Sequence, residues 1–535
     1  MKATDDLEIP LDLPWYRAPF FERLIVLVLP PLGLWLIWRD PYRGVWRKLL
    51  AAVLTVLWLA PYAAIIIGLL TLSGVIALEF QGGFGPSIVR VKAEPNYAVL
   101  EDSRREQKEE QRPAAVATNQ LSLLPPYWTD FRGPRRDGRY DERPLLLDWP
   151  ADGPPRLWRQ PCGGGYASFV VARGIAYTIE QRREQEAVVA YDLDTGRELW
   201  AHAYDALFTE WMGGDGPRAT PTYYKDLIYS LGATGELCCL SANTGTALWQ
   251  KNLLADTGAR NLRWGLACSP LILDHAVMVL GGNGTDNQGV VAYDTLSGRK
   301  LWSVLSDNLA YTSPMFVTLA GQAQLLVVTA QRALGLDPDS RRILWEFPWQ
   351  VPYDNAIAVP VLTGTNRFLL SAGYGVGAAL VEVKRNGEQF VAEAVWRNRN
   401  LKTKFNAAVY WDGYLYGLDE GVLACIDATT GERVWRDGRY GYGQLLVAEG
   451  NLIVLGGDGQ LALVEASPRG WFEKCQVQAL RGKTWNVPAL ANGRLLVRNA
   501  VEMTCFDLRR RRTDVPPAAS SAPALTPPPA RPGAP

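Results

Sequence analysis

An eleven-residue frame recurs five times in one register, and it constrains the fold more than any other feature of this chain. It runs small residue, any residue, Asp, two residues, Thr or Ser, Gly, three residues, Trp. The copies are AYDLDTGRELW (Ala190 to Trp200), CLSANTGTALW (Cys239 to Trp249), AYDTLSGRKLW (Ala292 to Trp302), GLDPDSRRILW (Gly335 to Trp345) and CIDATTGERVW (Cys425 to Trp435). Ser241 replaces the Asp in the second copy, and Arg341 replaces the Gly in the fourth. The alternating apolar stretch before each copy reads as a strand. Asp and Thr side chains bond back to nearby backbone N–H groups and Gly tolerates positive φ, so the middle reads as a tight turn. The following strand ends in Trp, a large anchor that packs on a neighbouring unit.

Between the frames, Thr220-Pro221, Ser269-Pro270, Ser313-Pro314, Val359-Pro360 and Val487-Pro488 each open an apolar run. Pro at the first residue of a strand costs no ladder hydrogen bond. Each unit thus reads as about four short strands over roughly 40 residues, the size of a propeller blade. Strands ending in Trp200, Trp249, Trp302, Trp345, Trp396 and Trp435 mark six units. A degenerate seventh covers 442–480, with Glu465 near the Asp position and Trp471 displaced. An eighth ends in CFDLRRRR (Cys505 to Arg512) and never reaches a Trp. Its missing outer strand is supplied by PRLWRQ (Pro155 to Gln160), which holds Trp158 in an LW pair with no frame before it. The expected fold is all-β: an eight-bladed β-propeller of four-stranded antiparallel blades over 128–510, with seven blades as the fallback. Its last blade is closed by the N-terminal strand, which removes an exposed sheet edge.

The segments around the repeat differ in character. Leu49 to Leu78 holds 30 residues without a charge, and about 20 apolar residues suffice for a membrane span. An earlier run, Leu24 to Trp38, has 15 residues with Pro30-Pro31 at its middle. It reads as a kinked second span or a re-entrant segment. The expectation is a transmembrane helical hairpin over 24–80, after an N-terminal tail of 1–23. No small-residue cleavage site follows, so the run is not a signal peptide. The loop RDPYRGVWRK carries Arg39, Arg43, Arg47 and Lys48 against Asp40. Positive-inside logic places that loop in the cytoplasm and everything after residue 80 outside, which in a Gram-negative cell is the periplasm. Residues 81–127 read as a linker whose charge run, Glu101 to Arg112, is a solvated helix or a disordered segment. Residues 511–535 are a Pro/Ala-rich tail with too little apolar content to fold.

Composition removes several function classes. Lys+Arg and Asp+Glu both total 55, which argues against nucleic acid as the main partner. The two His, His202 and His275, have no second His or Cys at ligand spacing, so neither a His-based metal site nor a Ser-His-Asp triad is expected. Seven Cys lack CxxC spacing. The remaining candidates lie in the loops that open each blade near the axis. They are Trp211, Asp215 and Arg218; Arg263 and Trp264; Asp307, Asn308 and Tyr311; Tyr353, Asp354 and Asn355; Lys404 with Phe405; Tyr440 and Tyr442; and Lys483, Trp485 and Asn486. A funnel of aromatic, amide and mixed-charge side chains suits a peptide, a glycan or a small polar ligand. Trp158, Trp200, Trp249, Trp302, Trp345, Trp396 and Trp435 are the expected blade-docking residues.

The frame and the blade count resemble the pyrroloquinoline quinone (PQQ)-like repeat family, over about residues 128–510. The lead-in WTDFRGPRRDG (Trp128 to Gly138) looks like the segment preceding many bacterial propellers of that family. The resemblance implies one of two activities. One class, quinoprotein alcohol and sugar dehydrogenases, holds PQQ and Ca²⁺ at the ring axis. The other comprises cofactor-free binding propellers such as the BamB-like outer-membrane assembly factor. The dehydrogenases need oxygen ligands for a hard cation, an Asp base, an aromatic floor and, in several members, a disulfide between adjacent Cys. Cys238-Cys239 matches the last feature by position. Yet Cys239 takes the frame's first place, as do Cys425 and Cys505, so it reads as the repeat's small strand residue. No catalytic Asp or Ca²⁺ ligand is matched residue by residue, and the units lack long inserted loops. The expectation is a non-enzymatic, cofactor-free binding or scaffold module, anchored in the inner membrane, with an envelope protein or polymer as partner. The alternative is a PQQ-dependent dehydrogenase.

Overall fold

The computed structural model describes residues 24–25, 30–39, 44–73, 75–80, 82, 87–89, 93–110 and 124–510. The tail beyond 510, and residues 1–23, lie outside the described residues. The chain divides into two compact units, Met1–Lys92 and Ala93–Pro535.

In the first unit a 28-residue helix, Val45–Leu72, contains one stretch, Lys48–Leu72, long and apolar enough to cross a membrane by length and composition. Its 28 residues rise about 42 Å against an apolar core of about 30 Å. A ten-residue helix, Pro30–Arg39, packs against it. Those ten residues rise about 15 Å, and residues 26–29 of the expected second span lie outside the described residues.

The second unit is a ring of eight antiparallel sheets. Blade 1 is Val170–Ala172, Ile175–Arg182, Gln185–Asp192 and Glu198–Asp205, in that order from axis to periphery. The inner strands of blades 2 to 8 are Thr222–Tyr224, Leu271–Leu273, Met315–Leu319, Val361–Leu362, Val409–Trp411, Gln444–Ala448 and Ala489–Ala491. Blade 8 takes its outer strand from Arg156–Pro161, which pairs with Glu502–Asp507 and sets Trp158 opposite Cys505. The expected closure and blade number are both observed.

The register explains each place in the repeated frame. The terminal Trp sits opposite the frame's first, small residue: Ala190 faces Trp200, Cys239 faces Trp249 and Cys425 faces Trp435. A bulge follows each of these pairs and tips the indole off its own sheet. The Asp192 carboxylate accepts from the backbone N–H of Asp194 and Thr195, and Asp294 and Asp337 repeat the arrangement. The frame's Gly is where the preceding blade's Trp lands. Trp158, Trp200, Trp249 and Trp396 lie on Gly196, Gly245, Gly298 and Gly431, each at positive φ. Each of these indoles donates its N–H to the carbonyl just after the frame's Asp position, at 2.8–3.0 Å. Trp435 does the same to Ser467 at 2.8 Å.

Two of the expected docking residues depart from this. Trp302 meets Arg341 in the place of Gly, and the guanidinium lies over its ring at 6.0 Å. Blade 5 has a short hairpin turn between Gly377–Asn386 and Gln389–Asn398 instead of the frame's turn, so Trp345 has no such carbonyl to reach. It turns back to Gln324 of its own blade at 2.5 Å. Blade 7 carries Cys475 opposite Leu463, where other blades carry Trp.

Over its described part, 101–110, the charge run is not merely solvated. Tyr97–Glu109 is a helix, capped by Asn96, that packs on the closing strand. Arg104, 6% exposed, reaches Glu198, Gln160 and the Pro161 carbonyl at 2.9–3.0 Å. Glu198 and the fully buried Glu180 also pair with Arg182. The linker helix is thereby fastened across the junction of blades 8 and 1. Between blades 1 and 2, Glu186 accepts from Tyr204 at 2.8 Å and from the Ala233 N–H at 3.1 Å. Burial raises the pKa of its carboxyl.

Candidate functional site: one rim closed, one rim open

The lead-in segment does more than precede the ring. Residues 128–142 run into the axial channel from the rim that carries the turns between each blade's first and second strands. Trp128 bridges to Val171 of blade 1, and the Thr129 carbonyl accepts from Tyr223 of blade 2. The Arg136 guanidinium spans the Ser269 and Pro270 carbonyls of blade 3 and the Pro314 carbonyl of blade 4, at 2.5–3.3 Å. Arg132 donates to the Ala408 carbonyl of blade 6 at 3.0 Å. Arg139–Tyr140 adds a parallel fifth strand to Gln444–Ala448 of blade 7, and Glu142 holds Asn492 of blade 8 at 2.6 Å. One short segment thus bonds to seven of the eight blades. Trp128, Arg132 and Arg136 are 0–3% exposed, so this rim is filled with protein. Burial pushes the Arg132 guanidinium down to about 10.

The prolines that open the inner strands now have a physical role. Pro270 and Pro314 offer their carbonyls to the axial arginine and, having no N–H, leave no unpaired donor beside it. The hydroxyls beside them link the blades: the N–H of Ser168 donates to Thr220, that of Thr220 to Ser269, and that of Ser269 to Ser313, at 2.9–3.1 Å.

The opposite rim carries the loops between blades and is lined by aromatic rings interleaved with cations. Trp485 stacks on Tyr166 at 5.4 Å and on Phe405 at 4.6 Å, and Phe405 meets Tyr442 edge-on at 5.8 Å. The Lys404 ammonium lies 4.7–5.5 Å from the rings of Tyr374, Phe405 and Tyr442. Lys483 lies 4.5 Å from Trp485 and 5.7 Å from Tyr166. Such contacts favour the cation by about 0.5–2 kcal/mol each. Desolvation still lowers the Lys404 pKa, with Glu420 opposing.

The candidate residues fall into four groups. Lys404, Phe405, Tyr442, Lys483 and Trp485 converge on the axial mouth. Arg263 lies over Trp264, which meets Tyr311 edge-on, further round the same rim. Tyr353 and Asp354 line an off-axis cleft of about 690 Å³ between blades 4 and 5, with Tyr374 and residues 397–399. The others serve the scaffold. Asp307 is held by Arg332 and Thr329, and Arg332 keeps its carboxyl below the usual range. Arg218 bonds to the Gly214 and Gly216 carbonyls of its own loop. Asp215 accepts from the Glu210 N–H. Asn486 reaches the Ala167 carbonyl at 2.9 Å. Asn355 donates to Tyr374, and Tyr440 to Glu473. The Asn308 carbonyl accepts from the Ala330 N–H. Trp211 is 80% exposed. Sequence reasoning missed Tyr166, Tyr374 and the axial Arg132 and Arg136.

Among the described residues no group of three His, Cys, Asp or Glu side chains stands close enough to hold a metal ion. Cys238 and Cys239 sit on the third strand of blade 2 with opposed side chains. Cys238 packs with blade 1 around Tyr204, and Cys239 packs toward blade 3 around Met278. Both are free thiols, and burial pushes Cys239 up to about 11.

Closed blades docked by tryptophan and glycine, with an axial mouth on one rim, define a β-propeller of the tryptophan-docked type. The repeat region is similar to the PQQ-like β-propeller family. A family model described as outer membrane protein assembly factor BamB matches residues 183–436. Among solved structures, the quinohemoprotein alcohol dehydrogenase from Comamonas testosteroni is 15% identical with a TM-score of 0.51, covering 74% of this chain and 85% of that one. BamB from Moraxella catarrhalis is also 15% identical, with a TM-score of 0.49, covering 67% of this chain and 98% of that one. A comparison with curated protein sequences found no match.

Proposed function

We propose that this protein is a membrane-anchored, cofactor-free propeller that captures an envelope protein or polymer on its open rim. One observation carries the reading: residues 128–142 fill one rim, while the other bears the half-buried Lys483, Tyr166, Phe405, Tyr442 and Trp485, with Lys404, 7% exposed, packed among the rings. Rings with adjacent cations supply contact area and a charged handle together. The family model for an assembly factor supports a scaffold, and the charge-free helix supports an anchor. The basic loop Arg39 to Lys48 supports placing the propeller on the periplasmic side, with Leu24 to Trp38 as the second arm of a hairpin. The opposed Cys238 and Cys239 weigh against the dehydrogenase.

Photo-crosslinking residues placed at Trp485 and Tyr442 of the full-length protein, in native membranes, are expected to give discrete adducts. The same residue at Asp412, in an inner-rim turn of the filled side, is expected to give none. Adducts from Asp412 alone would reverse the assignment of rims. Adding PQQ and Ca²⁺ is expected to leave no retained quinone absorbance and no dye reduction with alcohols or sugars; stoichiometric retention would replace the scaffold reading with the dehydrogenase.

A further inference from the structure

The cleft between blades 4 and 5 has a chemistry of its own. Tyr353 is 71% exposed, yet its backbone is left-handed at φ 62°, and so are Asp354 at 57° and Tyr374 at 57°. Left-handed backbone is costly for residues with a Cβ, and strain of this kind clusters at binding sites. Here it holds an aromatic face out to solvent, where the ring meets Tyr374 edge-on at 6.0 Å. The cleft floor is Tyr374, whose phenol oxygen accepts from Asn355 at 2.9 Å. Asn355 is 4% exposed and its Oδ1 has no hydrogen-bond partner. On the far wall Arg397 and Arg399 stand two residues apart, both exposed, and the Arg397 guanidinium lies over the Trp349 ring at 5.2 Å. The Asn398 amide between them turns away to the Gly431 carbonyl at 2.8 Å, and the exposed Gln350 lines the cleft as well.

Each part selects against a different ligand class. The wall is too polar for a lipid chain: two guanidiniums, an amide and a carboxylate surround two phenol rings. A free inorganic anion would use the arginines and leave the exposed Tyr353 face idle. A saccharide ring uses both, laying its C–H face on an aromatic ring while its hydroxyls meet Asp354, Gln350 and the Tyr374 phenol. The arginine pair then favours a sugar bearing an anionic group, since guanidinium forks match carboxylate and phosphate oxygens. The volume of about 690 Å³ lies within the range of small-ligand sites, about 300–1,000 Å³.

We propose that this cleft is a binding site for an acidic saccharide, carried on an envelope polymer or free. The site rests on the open rim being the working face. It adjoins the mouth directly, because Lys404 lies over the Tyr374 ring at 4.7 Å.

The test uses the full-length protein in nanodiscs and four probes in calorimetric titration: tetragalacturonic acid, maltotetraose, tetraglutamate and citrate. Tetragalacturonic acid is expected to bind at least tenfold more tightly than maltotetraose, which lacks the charge, and than citrate, which lacks the ring. Tyr353→Ala and the pair Arg397→Ala/Arg399→Ala are each expected to weaken it tenfold or more with an unchanged melting temperature, and Asp412→Asn, on the filled rim, to leave it unchanged. No binding of tetragalacturonic acid, or binding indifferent to Tyr353 and the arginines, overturns the proposal. Equal binding of tetraglutamate makes the cleft an acidic-peptide site and overturns it as well. A polymer carrying the sugar is separated from free sugar by competition with polygalacturonate. Crosslinks from Asp412 alone, alongside cleft binding, would sink the rim assignment and leave the cleft standing.

Discussion

The indole of Trp200 rests on the backbone of Gly245 in the next blade, so closely that a Cβ at Gly245 would come within 2.5 Å of a ring carbon. Gly245 is also held at φ 71° by its own turn. Two independent demands, a left-handed backbone and a bare surface, meet at one residue. Gly245→Ala is expected to cost about 2–3 kcal/mol, about 1 kcal/mol of it backbone strain. In a Trp200→Ala background only the strain should remain. Chemical denaturation of the four proteins of this cycle reads the coupling, and strict additivity would refute the contact.

Arg136 touches three carbonyls and is 3% exposed. Arg136→Ala leaves those buried acceptors orphaned. A loss of about 3 kcal/mol is expected, with faster amide exchange in blades 3 and 4 than in blade 5, which has no bond to the segment. Uniform exchange across the ring would show that Arg136 does not link these blades.

Glu186 sets a pH dependence. Its folded pKa is raised by burial, so its protonated form suits the fold. The favourable contribution is complete below the unfolded value of about 4.3, and it is lost as pH rises through the folded value. At neutral pH the buried charge is a cost. Glu186→Gln is expected to raise the melting temperature at pH 7.5, and the gain is expected to vanish near pH 4. Equal gains at both pH values would mean that charge is not the cause.

Tyr353→Gly should stabilise the protein by about 1 kcal/mol, because glycine occupies φ 62° without strain. The same change removes the exposed ring. A variant that melts higher and binds tetragalacturonic acid less well separates strain held for binding from strain without use.

Arg104→Ala should free the helix Tyr97–Glu109 from the ring. Limited proteolysis is expected to cut within 97–110 at least tenfold faster, with the propeller intact.

The repeat was legible because its frame couples strand, turn and anchor at fixed spacing. Trp158 was placed correctly by the outer strand that the eighth blade lacked. What escaped were contacts between segments far apart in the chain. Arg132 and Arg136 sit in a charge-rich lead-in, and nothing local reveals that their acceptors are carbonyls more than 130 residues away. The same holds for Arg104, whose run of charges reads as solvated until Glu198 and Gln160 are seen beside it. The rim loops were located correctly, since every blade must enter from there. Their residues could not be sorted, because Asp307 and Asn486 look like ligand groups until Arg332 and the Ala167 carbonyl claim them.

The segment 128–142 also sets an order of events during synthesis. It leaves the ribosome before any blade exists, carrying arginines whose acceptors are not yet made. Its last partner, Asn492, and the closing pair of Trp158 with Cys505 come some 350 residues later. Long-range closure of this kind is intrinsically slow. The nascent chain must therefore keep its axle solvated until the wheel is complete, and a chain stopped short of blade 8 would present that axle, with an unpaired strand edge, to the cell's proteases.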